Sequence, residues 1–415
     1  MKHTLVCNIG LLATPEGKRA KGGAAQGEIR KLENAWLLAD EKGLITEIGQ
    51  GPCPEEESFP GVVIDAGGAL VTPGLVDAHT HLIFGGWRQN EFGLKLRGAS
   101  YLEILAMGGG ILSTVKATRT ATEEELAEKA GQALKEMLSY GVTAVEAKSG
   151  YGLDRETELK QLRALARLKQ EVPQDLAATY LGAHALPAEY KENREEYLRL
   201  LKEVWIPEIA REGLAEFCDV FCEKGVFTAE ETRRILEAGK RQGLIPKIHA
   251  DEIEAIGGTE LTPELGAISA EHLIVCQESG IRALAQGGTI ACLLPMTSFY
   301  LGAGFAPARA MIEAGVPVAV ASDFNPGSCP GLNLQLAMTI ACLKYRLTPE
   351  EMLTAVTLNG AAAMNRAERL GSLEVGKQAD LVIWQAKDLE YLPYRLGSNL
   401  VSAVIKRGEI VCVNE

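Results

Sequence analysis

The chain has 415 residues, 47% of them hydrophobic and 23% charged, with a formal net charge of −13. That length suits a barrel of roughly 250–300 residues plus a smaller module better than two equal halves, and the composition excludes an intrinsically disordered chain. An acid excess with no concentrated Lys/Arg run excludes nucleic acid and anionic membrane as partners.

The nine cysteines are scattered and odd in number, and read as reduced, mostly buried thiols. Met1-Lys-His-Thr-Leu-Val runs straight into strand-like sequence without the pattern of a secretory signal. No apolar run reaches about 18 residues. The expectation is a cytoplasmic protein with no membrane span. Cys218 and Cys222 have a spacing that could suit a ligand pair, but Phe217-Cys-Asp-Val-Phe-Cys222 is strand-like and core packing is preferred.

Residues 1–70 read as short strands and turns, with apolar stretches at 5–7, 35–39 and 45–48 between Gly, Pro and Asp breaks. The Gly- and Lys-rich stretch 16–27 reads as a loose hairpin loop. Stretches 380–384 and 401–413 near the C-terminus have the same β-branched texture. The two ends are expected to pair into one β-module.

Between them lie eight apolar runs, at 75–78, 142–147, 177–181, 217–221, 245–248, 267–270, 289–294 and 318–321. Helix-length segments separate most of them. Three segments open with a capping box: Thr122-Glu-Glu-Glu125, Thr228-Ala-Glu-Glu231 and Thr348-Pro-Glu-Glu351. Strands alternating with helices imply a parallel sheet. Eight such units imply an α/β fold of the (β/α)8 TIM-like barrel type, with reactive groups at the C-terminal ends of the strands.

Five of the six histidines follow these runs. The first run reads Gly74-Leu-Val-Asp-Ala-His-Thr-His81. In a strand, residues i and i+2 share a face, so His79 and His81 converge above the barrel mouth. Imidazole nitrogens ligate zinc and ferrous iron. A lone histidine would read as a satisfied core residue; His-x-His with three more histidines at other strand ends reads as a metal centre. The fifth run continues Lys247-Ile-His-Ala-Asp-Glu252. His249 can complete three imidazoles, and Glu252 can shuttle a proton to a leaving nitrogen. The sixth gives Ser269-Ala-Glu-His272, where His272 can hold the attacking water or polarise a carbonyl. The eighth ends at Asp323. A carboxylate closing an apolar strand needs a partner; a cation on His79, His81 and His249 is that partner, and Asp323 can also take the proton of an attacking water.

These residues, with Val71-Thr-Pro-Gly-Leu-Val-Asp-Ala-His-Thr-His81 and Gly371-Ser-Leu-Glu-Val-Gly-Lys-Gln-Ala-Asp-Leu-Val-Ile-Trp384, resemble the amidohydrolase superfamily over essentially the whole chain. The resemblance implies a metal-dependent hydrolase barrel over 73–366 and a β-sandwich domain from 1–72 and 367–415. Two-metal members carry a carboxylated lysine at the end of strand 4. Here that strand ends Val-Phe-Cys222-Glu-Lys-Gly, with Lys224 two residues late. One divalent metal ion, zinc or iron, is therefore expected. Lys148, ending strand 2, reads as an ion-pair partner of Glu146 or a neighbouring acid.

Six segments narrow the likeness: Phe84-Gly-Gly-Trp-Arg88, residues 108–119, Glu146-Ala-Lys-Ser-Gly-Tyr-Gly-Leu-Asp154, Leu181-Gly-Ala-His-Ala-Leu-Pro187, His249-Ala-Asp-Glu252 and Ser322-Asp-Phe-Asn-Pro-Gly-Ser328. They imply a small-molecule substrate, 4-imidazolone-5-propanoate, whose ring amide water opens to N-formimidoyl-L-glutamate in histidine degradation. Arg88 offers a planar charged fork to the propionate. By the same likeness Tyr151, His184, Glu252, Asn325, Gly327 and Ser328 are substrate contacts, Asp323, His272 and Glu252 are catalytic, and the chain is a homodimer. The amides of the 325–328 turn can grip a carboxylate. Glu252 can instead orient the ring by hydrogen bonding. The rival expectation is a cytosine- or guanine-type aminohydrolase of the same superfamily, which needs no carboxylate grip. A non-catalytic barrel is disfavoured because such relatives typically lose metal ligands, and here all the expected positions are filled.

Overall fold

The computed structural model describes residues 3–53, 59–98 and 109–414. Strands β1 (Thr4–Pro15), β2 (Ile29–Ala39), β3 (Ile45–Gln50), β4 (Val62–Asp65) and β5 (Leu70–Pro73) come from the N-terminal part. The eight central runs form β6 (Leu75–Thr80), β7 (Val142–Lys148), β8 (Asp175–Ala183), β9 (Phe217–Cys222), β10 (Ile245–Ala250), β11 (Ser269–His272), β12 (Ile290–Leu293) and β13 (Val318–Val320). Strands β14 (Leu381–Trp384), β15 (Val401–Lys406) and β16 (Glu409–Val413) follow.

Strands β6 to β13 pair in chain order and in parallel. They are buried almost throughout, which is why they read as continuous apolar runs rather than alternating ones. The ring is closed at the seam between β6 and the end of β13. There the Asp323 amide donates to the His79 carbonyl at 3.1 Å and the His81 amide to the Phe324 carbonyl at 2.9 Å. All three expected capping boxes form, at Thr122, Thr228 and Thr348. No helix among the described residues is long and apolar enough to cross a membrane.

The terminal strands make one further sheet in the order β16-β15-β14-β5-β1-β2-β3, with β4 beside β1. The two ends of the chain join where β14 runs antiparallel to β5, Leu381 opposite Pro73 and Ile383 opposite Val71. Alternate residues of these strands, among them Val6, Leu12, Leu37, Leu381 and Ile405, form a core of their own.

Residues 16–27 differ from the expected loose loop. Gly23–Gly27 is a helical turn, and Gly22 bridges to Pro317 beside β13. The fully buried Gln26 side chain acts as a strand partner for Val318: its Nε2 donates to the Val318 carbonyl at 3.1 Å, and its Oε1 accepts from the Val318 amide at 3.0 Å. A polar side chain that reproduces backbone pairing satisfies groups that a polar loop would leave to water. Gln26→Ala would strand the Val318 amide, while the carbonyl keeps its bond from Asn359 Nδ2 at 2.9 Å, and should destabilise the protein by about 1–3 kcal/mol, read as a shift in urea midpoint at unchanged slope.

Candidate active site

The interior of the barrel is polar at its centre. On β7 the i, i+2 alternation points Glu146 and Lys148 inward; on β10 it does the same for Lys247 and His249, and on β11 for Ser269 and Glu271. The register places Lys247 opposite Ser269 and Asp219, and His249 opposite Glu271. All of these side chains are buried. Lys148 Nζ lies 2.8 Å from Glu146 Oε1 and 3.0 Å from Asp219 Oδ2, as the acid pairing read from the sequence requires. Burial works against its ammonium, but Glu146, Asp219 and Glu271 outweigh that and raise its pKa.

Above this layer stand the histidines. His79, His81 and Asp323 bring one ligand atom each within 4.8 Å of one another, and so do His79, His249 and His272. Asp323 Oδ1 is 3.4 Å from His79 Nε2 and 3.5 Å from His81 Nε2. The other ring nitrogen of His79, Nδ1, meets Glu271 Oε2 at 2.6 Å, and His249 Nδ1 lies 3.0 Å from Asp219 Oδ2. A carboxylate behind a ligating imidazole sets its tautomer and aims the free nitrogen at a metal.

Three buried atoms face this centre without a hydrogen-bond partner among the described residues: His79 Nε2, His249 Nε2 and Asp323 Oδ1. Orphaned buried polar atoms are costly, and one divalent cation would satisfy all three. The buried acids Glu146, Asp219, Glu271 and Asp323 also outnumber the buried ammoniums Lys148 and Lys247. Burial pulls His79 and His81 well below the usual histidine range and takes His272 down to about 4, whereas at His249 the Asp219 carboxylate outweighs burial and raises the pKa, so that a cation would have to displace its proton. Neutral imidazole is the form that ligates. The residues therefore fit a metal such as zinc or ferrous iron.

A cavity of about 530 Å³ opens over the cluster, and its lining includes His81, His184, His249, His272 and Asp323 together with Arg88, Asn325, Gly327 and Ser328. Tyr151 and Glu252 also line it. Of the metal, catalytic and substrate-contact residues named from the sequence, His79 is the one absent from this lining. His184 stacks on His81 at 4.9 Å between ring centroids, and its Nδ1 bonds the Gly150 carbonyl at 3.0 Å. Burial lowers its pKa to about 3, so Nδ1 is the donor and the ring is neutral. Glu252 Oε2 lies 3.7 Å from His272 Nε2, and burial pushes its carboxyl up to about 7.

Two site residues take a left-handed backbone, His272 with φ 70° and Asp323 with φ 55°. Such angles are uncommon outside glycine. His272 follows the inward-facing Glu271, so continued alternation would turn it away from the mouth; the backbone twist brings it back.

The 325–328 turn corrects one expectation. Its Gly327 and Ser328 amides, expected to grip a carboxylate, donate to Asn325 Oδ1 at 2.8 and 2.7 Å. An Asx side chain closes the turn and consumes them. Arg88 is also partly engaged: Nε and Nη2 donate to the Glu91 carboxylate at 3.0 and 2.7 Å. Its Nη1 lies under Gly327, where an added Cβ would stand 2.0 Å away. A larger residue at 327 would require the end of the Arg88 side chain to move. Gly108, part of the 108–119 segment, lies outside the described residues.

Sequence reasoning missed Glu271, Asp219, Lys247 and Thr297, whose hydroxyl donates to Asp323 Oδ2. The signal for the first three was present, since a charged residue inside an apolar strand needs a buried partner. Thr297 carried no such signal.

A family model described as the amidohydrolase family matches residues 70–411. The chain belongs to this family of hydrolases. Among the curated relatives, one from Alkaliphilus metalliredigens named imidazolonepropionase is 51% identical over 415 residues, covering 99% of this chain and 98% of its own length. One of the same name from Bacillus velezensis is 49% identical over 413 residues, covering 99% and 97%. An adenosine deaminase from Xanthomonas campestris, solved with bound zinc, has a TM-score of 0.74 at 20% identity, covering 99% of this chain and 93% of its own; that likeness is one of fold.

Glu271→Gln keeps the shape of the side chain but removes the charge behind His79. It should lower metal affinity about 10- to 100-fold, measured by competition with a chelator; unchanged affinity would refute the supporting role of Glu271.

Proposed function

We propose that this protein hydrolyses the ring amide of 4-imidazolone-5-propanoate to N-formimidoyl-L-glutamate, a step of histidine degradation. Two relatives at about half identity over nearly the full length carry the imidazolonepropionase name. What supports the substrate from the site itself is Arg88, whose Nη1 is left free by Glu91 and which lines the same cavity as the imidazole–carboxylate cluster. That carboxylate grip favours this reading over a cytosine- or guanine-type aminohydrolase, which has no anionic side chain to hold. The nine free cysteines suit a reducing cytoplasm, and a homodimer is the assembly proposed.

In this reading His79, His81, His249 and Asp323 hold one divalent ion, zinc or iron. When bound, the ion supplies Lewis acidity that brings the pKa of water towards about 7. Asp323 accepts the proton of the attacking water on its carboxylate. Water oxygen bonds to the ring carbonyl carbon, the adjacent C–N bond breaks, and the departing nitrogen takes up a proton. His272, neutral and at the same mouth, stands beside the oxygen on which charge develops. Arg88 Nη1 orients the propionate, while Tyr151 and His184 wall the ring. Glu252 is the proton donor to the departing nitrogen: its raised pKa keeps it protonated below about 7, the form a general acid needs.

Mixing the metal-loaded protein with freshly made 4-imidazolone-5-propanoate should accelerate loss of its ultraviolet absorbance beyond the spontaneous decay. No acceleration would overturn the substrate, and ammonia release from cytosine or guanine would favour the aminohydrolase. His79→Ala should lose both bound metal and turnover. Arg88→Ala should keep its metal and raise KM at least about tenfold.

With a raised pKa the protonated form of Glu252 is complete at low pH and lost as pH rises through about 7. The rate should therefore fall on that alkaline limb. Glu252→Gln should lower kcat by about 100-fold and abolish the limb. A limb that persists in this variant would assign the proton delivery to Asp323.

A further inference from the structure

The stretch 16–27 has no part in the catalytic reading, yet two of its basic residues, Lys18 and Arg19, meet at the opposite end of the barrel. A cavity of about 780 Å³ opens there, at the N-terminal ends of β10, β11 and β12. Ile245, Ile268 and Ile290 give it an apolar floor. Its charged lining is Lys18, Arg19, Arg366 and Arg369, with Glu368 the single acid. The whole chain has 55 acidic residues to 42 basic ones, so this lining runs against the composition.

Arg366 and Arg369 are anchored by Glu216 and Asp175. Lys18 and Arg19 have no acidic partner among the described residues. Their backbone is nevertheless pinned. The Gly17 amide donates to Glu374 Oε2 at 2.9 Å, the Gly17 carbonyl accepts from Lys377 Nζ at 2.5 Å, and the Lys21 amide donates to Asn359 Oδ1 at 2.7 Å. Two free cations are thus held on a built rim. The nearly buried Lys377 ammonium stands close enough that, after burial itself, the charge of Lys18 helps to lower its pKa. Gathering like charges around a cavity costs free energy that a bound anion would offset, and cavity walls of low polarity focus the field.

From this geometry we infer a second binding site, at the N-terminal end of the barrel, for a small multivalent organic anion with an apolar body. Lys18 and Arg19 are its free recognition groups, Arg366 and Arg369 its fixed ones, and the three isoleucines take the apolar part. Phosphate groups or several carboxylates would serve equally.

Isothermal titration of the metal-loaded protein at low ionic strength, with pyrophosphate and separately with citrate, tests this. His79→Ala serves as a control for binding at the catalytic mouth. The expected result is saturable binding of one anion per chain, weakened by added salt and retained in His79→Ala. Pyrophosphate alone would mark a phosphate ligand, and citrate alone a polycarboxylate. The exposed pair Lys18→Ala/Arg19→Ala should lose affinity at least about tenfold with unchanged turnover. Saturation by neither anion, loss of binding in His79→Ala, or an unchanged affinity in the double variant would each overturn the site.

Discussion

The closure of the barrel between its first and last strands is the constraint on which the rest depends. His79 and Asp323 are separated by more than half the chain, yet the Asp323 amide bonds the His79 carbonyl and the His81 amide bonds the Phe324 carbonyl. These two backbone bonds put the ends of β6 and β13 in register and aim three ligand-type side chains at one point. The seam is supported from outside by Gln26, which pairs with Val318 at the start of β13. It is supported from inside by Asp77, whose carboxylate accepts from the Ser322 amide at 3.0 Å. A loop near the N-terminus thus helps to set the geometry of a residue near position 320.

Beneath the histidines the barrel holds ionised groups that most interiors exclude. An unpaired charge there would cost several kcal/mol. Each is therefore tied into a chain: Thr179 to Glu146, Glu146 to Lys148, Lys148 to Asp219, Asp219 to His249. Ser269 and Lys247 meet at Glu271, which holds His79. The network ends on the back nitrogens of two imidazoles, so the charges that make the interior expensive also fix the faces presented to a metal. Left-handed angles at His272 and Asp323 are a second cost at the same place, consistent with strain being concentrated where chemistry needs a special direction.

Much of this is legible in the amino-acid sequence. Hydrophobic runs and capping boxes located eight strands and three helix starts, because period and cap chemistry are local. The His-x-His pair, the histidines after the fifth and sixth runs and Asp323 stood out because polar groups at the ends of apolar strands are conspicuous. Asp219 and Glu271 were passed over as parts of core strands, although an acid between apolar neighbours carries the same message. The 16–27 stretch misled, since a glycine-rich polar segment looks the same whether it faces water or replaces a strand.

The sequence by itself determined the strand and helix pattern and gathered imidazoles and a carboxylate at the strand ends, because these rest on local periodicity and on chemistry that travels with each side chain. Only the tertiary structure decided which acid stands behind which histidine, that the amides of the 325–328 turn are consumed by Asn325, that Glu91 occupies one edge of Arg88, and that four cations meet at the far end of the barrel. Those are relations between distant segments. They follow from strand register and barrel closure, and no spacing along the chain encodes them.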